Sequence, residues 1–389
     1  MISINNLAVF ILIISSILLS SAPVMAITDP SSVPNNKYGI HIIDENDLEK
    51  AAALVNSSGG DWGWVTVVIS QNDRNISKWN NIFYKMKQLH LIPIIRLATI
   101  MEGNSWKKPE VSDAFSWTDF LSHLDWVVKN RYVIIFNEPN HAKEWGNSIN
   151  PQEYSQILVA FSKTLKSSSS DFFILPAGFD ASAPNSKDTM DESDFIQAMF
   201  QAKTDILSYI DGWTSHSYPN PGFTGNVNAE GKGTLKTYQW ELNLLETLGN
   251  KKQFPVFISE TGWPHQEGTF FNRNFFSADK VAELIIETAN SVWNDSKIIA
   301  ITPFVLNYQS YPFSNFSWQK FSQDNFYPQY QAYQLIPKTA GQPVKGIDLK
   351  IYLANLNLNF RKSNDNESNF LNYFPLKISD IFSILRNFI

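Results

Sequence analysis

The sequence predicts an α/β fold, a (β/α)8 TIM barrel with a short C-terminal extension, on three observations. Eight short apolar runs recur between residues 37 and 306, each about as long as one buried strand. Segments with helical spacing of apolar residues separate them, and long polar loops follow several of the runs. Apolar strands alternating with helices indicate a parallel sheet covered by helices, and eight such units over about 300 residues fit a closed barrel.

The eight predicted strands share a nearly continuous run of apolar residues. They are 37–43, 64–70, 91–98, 131–137, 171–178, 210–218, 254–260 and 297–306. A doubly wound open sheet is the alternative arrangement of the same elements. No GxGxxG or P-loop pattern follows the first run, so nothing favours a nucleotide-binding version of that alternative.

Two helices are predicted with a defined start. The first follows Asn150, with Pro151 in its first turn and Glu153 as the acid of a capping box. Its apolar face comprises Tyr154, Ile157, Leu158, Phe161 and Leu165. The second begins after Ser277 and is predicted over 278–293, with Val292 as the last apolar residue at helical spacing.

The two ends of the chain differ from the predicted barrel, which spans residues 37–336. Residues 1–26 resemble an export signal, with an apolar run over 7–19 that is too short to span a bilayer and a small-residue cleavage site before Ile27. An uncleaved anchor is the alternative, because no Lys or Arg precedes the run. Residues 337–389 are an extension of unclear structure. We expect a secreted or cell-surface protein without a stable membrane span.

Composition excludes several classes of function. The net charge is −6 over 389 residues, so there is no basic footprint for nucleic acid. The absence of cysteine excludes disulfides, thiolate metal sites and a cysteine nucleophile. The sequence contains no HExxH motif and no Gly-x-Ser-x-Gly elbow. We therefore predict no metal, no cofactor and a monomer.

Two glutamates end apolar strands and mark the candidate site. Glu138 follows the fourth run in VIIFNEPN, and Glu260 ends the seventh in PVFISETGWP. A buried carboxylate costs several kcal/mol unless it is paired or functional. The structural alternative is a salt bridge between strands, with Arg96 at the end of the third run as the partner.

The positions of these glutamates suit the cleavage of a sugar–sugar bond. Strands four and seven of an eight-stranded barrel lie nearly across the lumen from each other, at the end where barrel enzymes carry their chemistry. Glycoside hydrolysis needs one carboxyl to protonate the leaving oxygen and another to attack the anomeric carbon or activate water. For a retaining mechanism the two carboxyl groups of Glu138 and Glu260 are expected about 5 to 5.5 Å apart.

FNEPN and FISETGWP resemble the acid/base and nucleophile segments of clan A glycoside hydrolases, which are retaining TIM-barrel enzymes. The resemblance implies that Glu138 is the acid/base, Glu260 the nucleophile, and Asn137 a ligand of the sugar 2-hydroxyl. HSY resembles the His-x-Tyr of glycoside hydrolase family 5, so His216 would line the subsite and Tyr218 would keep Glu260 ionised. SETGWP is similar to the β-1,3-glucanase family of plants and fungi.

The other candidate substrate-binding residues are less certain to face a ligand, because most of them also have a structural interpretation. Arg96 stands where family 5 usually has a histidine, and could orient Glu260 or bridge strands. The tryptophan that family members carry after strand eight is absent here, and Trp318 could replace it or pack the following loop. Trp263 could stack on a sugar or close the barrel rim, and Trp145, after the loop that follows Glu138, could form a stacking wall. His141, in the loop after Glu138, is predicted to be a surface residue.

Three long polar loops are expected on the same rim as the glutamates. They span 101–117, 182–193 and 219–234, and place Trp106 and Phe223 to meet a ligand. Together these features predict a secreted retaining β-glycosidase acting on a carbohydrate substrate. The alternatives are a glycan-binding barrel without activity, and a transglycosylase that passes the covalent sugar to an acceptor sugar.

Overall fold

The computed structural model describes residues 27–346 and confirms the predicted α/β alternation there. The strands are β1 (Gly39–Ile42), β2 (Gly63–Ser70), β3 (Leu91–Ala98), β4 (Arg131–Ile135), β5 (Phe172–Pro176), β6 (Trp213–Ser217), β7 (Val256–Thr261) and β8 (Ile298–Ile301). The helices are α1 (Leu48–Val55), α2 (Ile76–Gln88), α3 (Asp113–Ser122), α4 (Pro151–Ser168), α5 (Glu192–Ala202), α6 (Thr237–Thr247), α7 (Ala278–Ala289) and α8 (Pro328–Leu335). Every predicted strand is present, and most are shorter than predicted.

These eight strands are parallel and neighbour one another in chain order. A separate antiparallel pair, Met101–Glu102 with Ser105–Trp106, lies in the loop after β3. β1 to β5 form one sheet and β6 to β8 form another. Between β8 and β1, the Ile301 N–H donates to the Lys37 carbonyl at 2.8 Å. Between β5 and β6, the Asp211 N–H donates to the Ile174 carbonyl at 2.8 Å. The two sheets are therefore in contact along both of their edges, and the central sheet structure is parallel throughout.

An aromatic layer fills the space between the sheets near the amino ends of the strands. It consists of Trp64, Tyr132, Phe173 and Phe257, whose ring centroids lie 4.9 to 5.8 Å apart. All four side chains are buried. Because this end is packed, the space available to a ligand lies at the carboxyl ends of the strands.

The two predicted helix starts are present, and one predicted end is wrong. At the start of α4 the Asn150 side chain accepts from the Glu153 N–H at 3.1 Å. At the start of α7, Ser277 accepts from the Lys280 N–H at 3.2 Å. α7 ends at Ala289, so Val292 belongs to the following 3-10 turn, although its side chain is still buried.

The predicted export signal, residues 1–26, lies outside the described residues, as does the extension beyond residue 346. The part of the predicted extension that is described, residues 337–346, contacts two earlier segments of the chain. The Gly341 N–H donates to the Asp61 carbonyl, and the Lys129 N–H to the Val344 carbonyl, both at 2.8 Å. Over residues 27–346, no helix combines the length and the apolar character needed to cross a membrane.

Candidate active site

A cavity of about 450 Å³ opens at the carboxyl ends of the strands. Arg96, Asn137, Glu138, Tyr218 and Glu260 all line it, and all five are residues that the sequence predicted for the site. They come from β3, β4, β6 and β7 or from the residues just after these strands. A second cavity of about 30 Å³, near the opposite ends of the strands, has no carboxylate in its lining.

A sharp turn after β4 directs Glu138 to the cavity. Phe136 and Glu138 have φ angles of +68° and +31°, in the left-handed region that residues with a side chain rarely adopt. The Glu138 N–H donates to the Gly178 carbonyl at 3.1 Å, which ties the turn to the segment after β5. Such strain costs about 1–3 kcal/mol per residue and clusters at functional sites, where the surrounding structure holds it in place.

Glu260 lies on β7 and is held by two donors. Arg96 Nη1 donates to its Oε1 at 3.3 Å, and the Tyr218 hydroxyl donates to its Oε2 at 3.1 Å. Burial alone would raise the pKa of Glu260, but the charges of His216 and Arg96 and the Tyr218 hydrogen bond together lower that pKa below its usual range. The geometry therefore favours an ionised carboxylate, ready to act as a nucleophile.

His216 lies between the two glutamates and contacts Glu138 directly. Its Nδ1 is 2.7 Å from Glu138 Oε1 and 3.9 Å from Glu260 Oε2. Burial opposes protonation of the ring, but Glu260 and Glu138 raise the pKa of His216 above its ordinary value. Gly178 leaves room for the ring, because a Cβ there would lie 2.3 Å from His216 Cδ2.

The two glutamates face the same space at short range. One oxygen of each, together with a nitrogen of His216, all lie within 4.8 Å of one another. Three such donors could also hold a divalent cation. The raised pKa of His216 opposes this, because a protonated imidazole has no lone pair for a metal, and the Arg96 guanidinium beside Glu260 adds a further positive charge.

Two polar atoms at the site lack a partner. Asn137 Oδ1 and Arg96 Nε are buried, and neither has a hydrogen-bond partner within residues 27–346. A buried polar atom left unpaired costs about 1–3 kcal/mol. Asn137 lines the cavity, and the sequence resemblance makes it the ligand of the sugar 2-hydroxyl.

The structure does not bring the three predicted tryptophans to the cavity. Trp145 is 0% exposed and packs against Phe136 and Tyr154, with centroids 6.1 and 5.5 Å away. Trp263 and Trp318 are each 2% exposed, and neither lines the cavity. All three side chains are therefore buried in the protein and do not offer a surface to a ligand in this cavity.

Other aromatic residues form one wall of the cavity instead. Phe223 belongs to this wall and contacts Phe316, with ring centroids 5.2 Å apart. Trp106 lines the cavity on another side, where its carbonyl accepts from the Gly146 N–H at 2.9 Å in the loop after Glu138. Both residues line the cavity, as the loop positions predicted. Phe304, just after β8, lines the cavity near the position where the tryptophan platform was expected. The remaining residues of this aromatic wall, which the sequence did not predict, are Tyr308, Phe313 and Phe316. The density of aromatics in 304–316 was the available signal.

Three polar residues on the opposite side were also not predicted. His141 lines the cavity rather than the outer surface, as do Glu144 and Asp180. Burial, and next the charge of Glu138, raise the pKa of Glu144 to about 7. No strand-end signal marks Glu144, because it lies in a 3-10 turn whose direction depends on the tertiary fold.

Comparisons with known proteins identify the fold. No protein-family model and no curated protein matches the sequence. A glucosidase from Croceicoccus marinus is similar in structure, with a TM-score of 0.54 at 10% identity over 81% of this chain and 71% of that one. A fungal β-1,4-galactanase gives a TM-score of 0.51 at 12% identity over 76% of this chain and 99% of that one. The chain therefore has the fold of these two glycosidases.

Proposed function

We propose that this protein is a retaining glycoside hydrolase whose eight strands close into a TIM barrel, with Glu138 as acid/base and Glu260 as nucleophile. The observation that carries the proposal is the pair of carboxylates in one cavity, with oxygens within 4.8 Å of each other. Retaining enzymes hold their carboxyl groups about 5–5.5 Å apart, whereas inverting enzymes need about 6.5–9.5 Å to admit a water. The short separation therefore favours double displacement.

The proposed reaction has two steps. In the first, ionised Glu260 attacks the anomeric carbon, the glycosidic C–O bond breaks, and Glu138 gives its proton to the leaving oxygen. In the second, Glu138 takes a proton from water, whose oxygen attacks the same carbon and releases Glu260. Tyr218 and Arg96 keep Glu260 charged and directed, and His216 fixes the direction of the Glu138 carboxyl.

The substrate class we propose is a β-linked oligosaccharide or polysaccharide. The cavity combines an aromatic wall with polar groups on the other side, as sugar recognition requires: the rings contact the apolar face of a sugar and the polar groups bind its hydroxyls. Export directed by residues 1–26, action outside the cell, and a monomeric state belong to the same proposal. Recovery of the mature protein from the medium, with Ile27 at its N-terminus, and gel filtration test these points.

Substitution of the two glutamates tests the reaction. We expect Glu138→Gln and Glu260→Gln each to lower kcat on a β-linked polysaccharide by about a thousandfold or more, with an unchanged circular dichroism spectrum. Glu260→Ala with azide and an aryl glycoside should form a glycosyl azide of inverted configuration. Glu283→Gln, an exposed change on α7, is the matched control. Wild-type activity in both glutamate variants would end the proposal.

A further inference from the structure

A histidine–aspartate pair lies beside Glu138 on the polar side of the cavity. His141 Nε2 is 2.8 Å from Asp180 Oδ2, and both side chains line the cavity with 28% of their surface exposed. The pair is close to Glu138 along the chain as well, because the His141 N–H donates to the Glu138 carbonyl at 2.8 Å. Neither residue takes part in the two proposed steps of the reaction.

The pair is rigidly supported by its loops. The buried Asn140 side chain donates to the Asp180 carbonyl at 3.0 Å and accepts from the Asp180 N–H at 3.2 Å. Asp180 Oδ1 accepts from both the N–H and the hydroxyl of Ser182, at 2.8 and 2.6 Å. A polar pair fixed in this way needs little further ordering to bind a ligand, which favours recognition.

The charges of the pair suit hydroxyl recognition. Burial would raise the pKa of Asp180, but hydrogen bonds from His141 and Ser182 lower that pKa to about 2. Burial would lower the pKa of His141, but Asp180 and Glu138 raise it above its ordinary value. A protonated imidazole donates from both nitrogens, so the ring retains the Nδ1–H after Nε2 is engaged by Asp180.

The position of the pair indicates which sugar it meets. In the proposed reaction the leaving sugar lies against Glu138, which protonates its oxygen, whereas the attacked carbon lies against Glu260. His141 and Asp180 adjoin Glu138, whereas Arg96 and Tyr218 hold Glu260. We infer that the His141–Asp180 pair binds hydroxyl groups of the sugar on the leaving-group side, and so determines which sugar can follow the cleaved bond.

This inference rests on the proposed function, but the choice of substrate allows the two to be tested separately. A β-linked pentaose of glucose, mannose or xylose has a sugar on the leaving side, whereas a 4-nitrophenyl disaccharide has an aryl group without sugar hydroxyls there. His141→Gln retains a nitrogen near the position of Nε2 and so retains the link to Asp180, but it removes the Nδ1 donor. Asp180→Asn removes the charge and retains the shape.

On the best pentaose we expect kcat/KM to fall about tenfold or more in both variants, as it does when a hydrogen bond to a charged group is lost. On the aryl disaccharide we expect kcat/KM to fall less than about twofold. His123→Gln, at an exposed histidine 3.7 Å from Asp119, is the matched control and should change neither. Equal losses on both substrates, or loss of the fold in both variants, would show that the pair only ties two loops and would overturn the inference. A wild-type protein that cleaves no member of either set would instead contradict the proposed function.

Discussion

The charge on Glu260 depends on a single neutral donor as well as on two cationic side chains. Tyr218→Phe removes the hydroxyl that donates to Glu260 Oε2 at 3.1 Å and changes little else in size. Without this donor the pKa of Glu260 should rise, because the hydrogen bond stabilises the carboxylate. We expect kcat/KM to fall about 10- to 100-fold and the acidic limb of its pH profile to move to higher pH, as measured on an aryl glycoside.

The matched control for that change is Tyr84→Phe, at a tyrosine that is 66% exposed on α2. It should leave both the rate and the pH profile unaltered. An acidic limb that stays in place in Tyr218→Phe would mean that Arg96 and His216 alone set the ionisation of Glu260, and that the Tyr218 hydroxyl does not contribute to it.

The residues at the ends of strands could be predicted from the sequence, but the directions of the side chains that follow the strands could not. Glu138, Glu260 and Arg96 could be placed because parallel strands deliver their last residues to one rim. Trp263 is only three residues beyond Glu260, yet its side chain is buried away from the cavity. Once the strand period ends, sequence distance from a catalytic residue no longer indicates the direction of a side chain.

Among the helices, α4 has the N-terminal cap that the sequence predicts most clearly. Asn150→Ala removes the acceptor for the Glu153 N–H, 3.1 Å away, at the start of an 18-residue helix. Loss of such a cap costs about 1 kcal/mol, so for a fold of this size we expect Tm to fall by about 1–2 °C in thermal unfolding. Ser112→Ala is the control, because Ser112 precedes α3 without a cap hydrogen bond. Equal shifts in the two variants would contradict a capping role.

Element identity was easier to predict than element length. The six-residue strand β7 was predicted because it begins with an apolar run, and all six of its residues, including Glu260, are buried. The end of α7 was predicted four residues late, at 293, because Val292 continues the apolar period after the helix has ended at Ala289. Burial of a residue therefore preserves the periodic pattern even where the backbone leaves the helix.

At the scale of the whole molecule, the cavity exists because aromatic side chains fill the space at the amino ends of the strands, whereas the space at the carboxyl ends is left open. The aromatic layer around Tyr132 was not predicted, since four strands far apart in sequence supply it. The wall containing Phe304 likewise needs tertiary structure to be recognised. Sequence pattern thus predicted the architecture and the paired carboxylates, while the shape of the cavity depended on long-range packing.

A buried carboxyl pair outside the site makes the stability of the whole molecule depend on pH. Glu192 on α5 and Glu241 on α6 are 0% exposed. Burial, and next the charge of Glu241, raise the pKa of Glu192 well above its usual range, and burial raises the pKa of Glu241. The folded protein therefore binds protons here more tightly than the unfolded chain, so this stability is fully present below the unfolded pKa and is lost as pH rises through the folded pKa.

Glu192→Gln removes one of these titrating groups while retaining its size. Each proton retained only in the folded state changes the free energy of unfolding by up to about 1.4 kcal/mol per pH unit. We therefore expect the wild type to lose stability relative to Glu192→Gln over the pH range above 4.5, the ordinary pKa of a glutamate. Tm measured across that range gives the difference, in which the contributions of His141 and His216 cancel because both proteins contain them. Glu283→Gln, whose carboxyl group is exposed on α7, should follow the wild type. Parallel Tm curves for wild type and Glu192→Gln would mean that Glu192 is already charged in the folded protein, and that Lys232 nearby compensates for its burial.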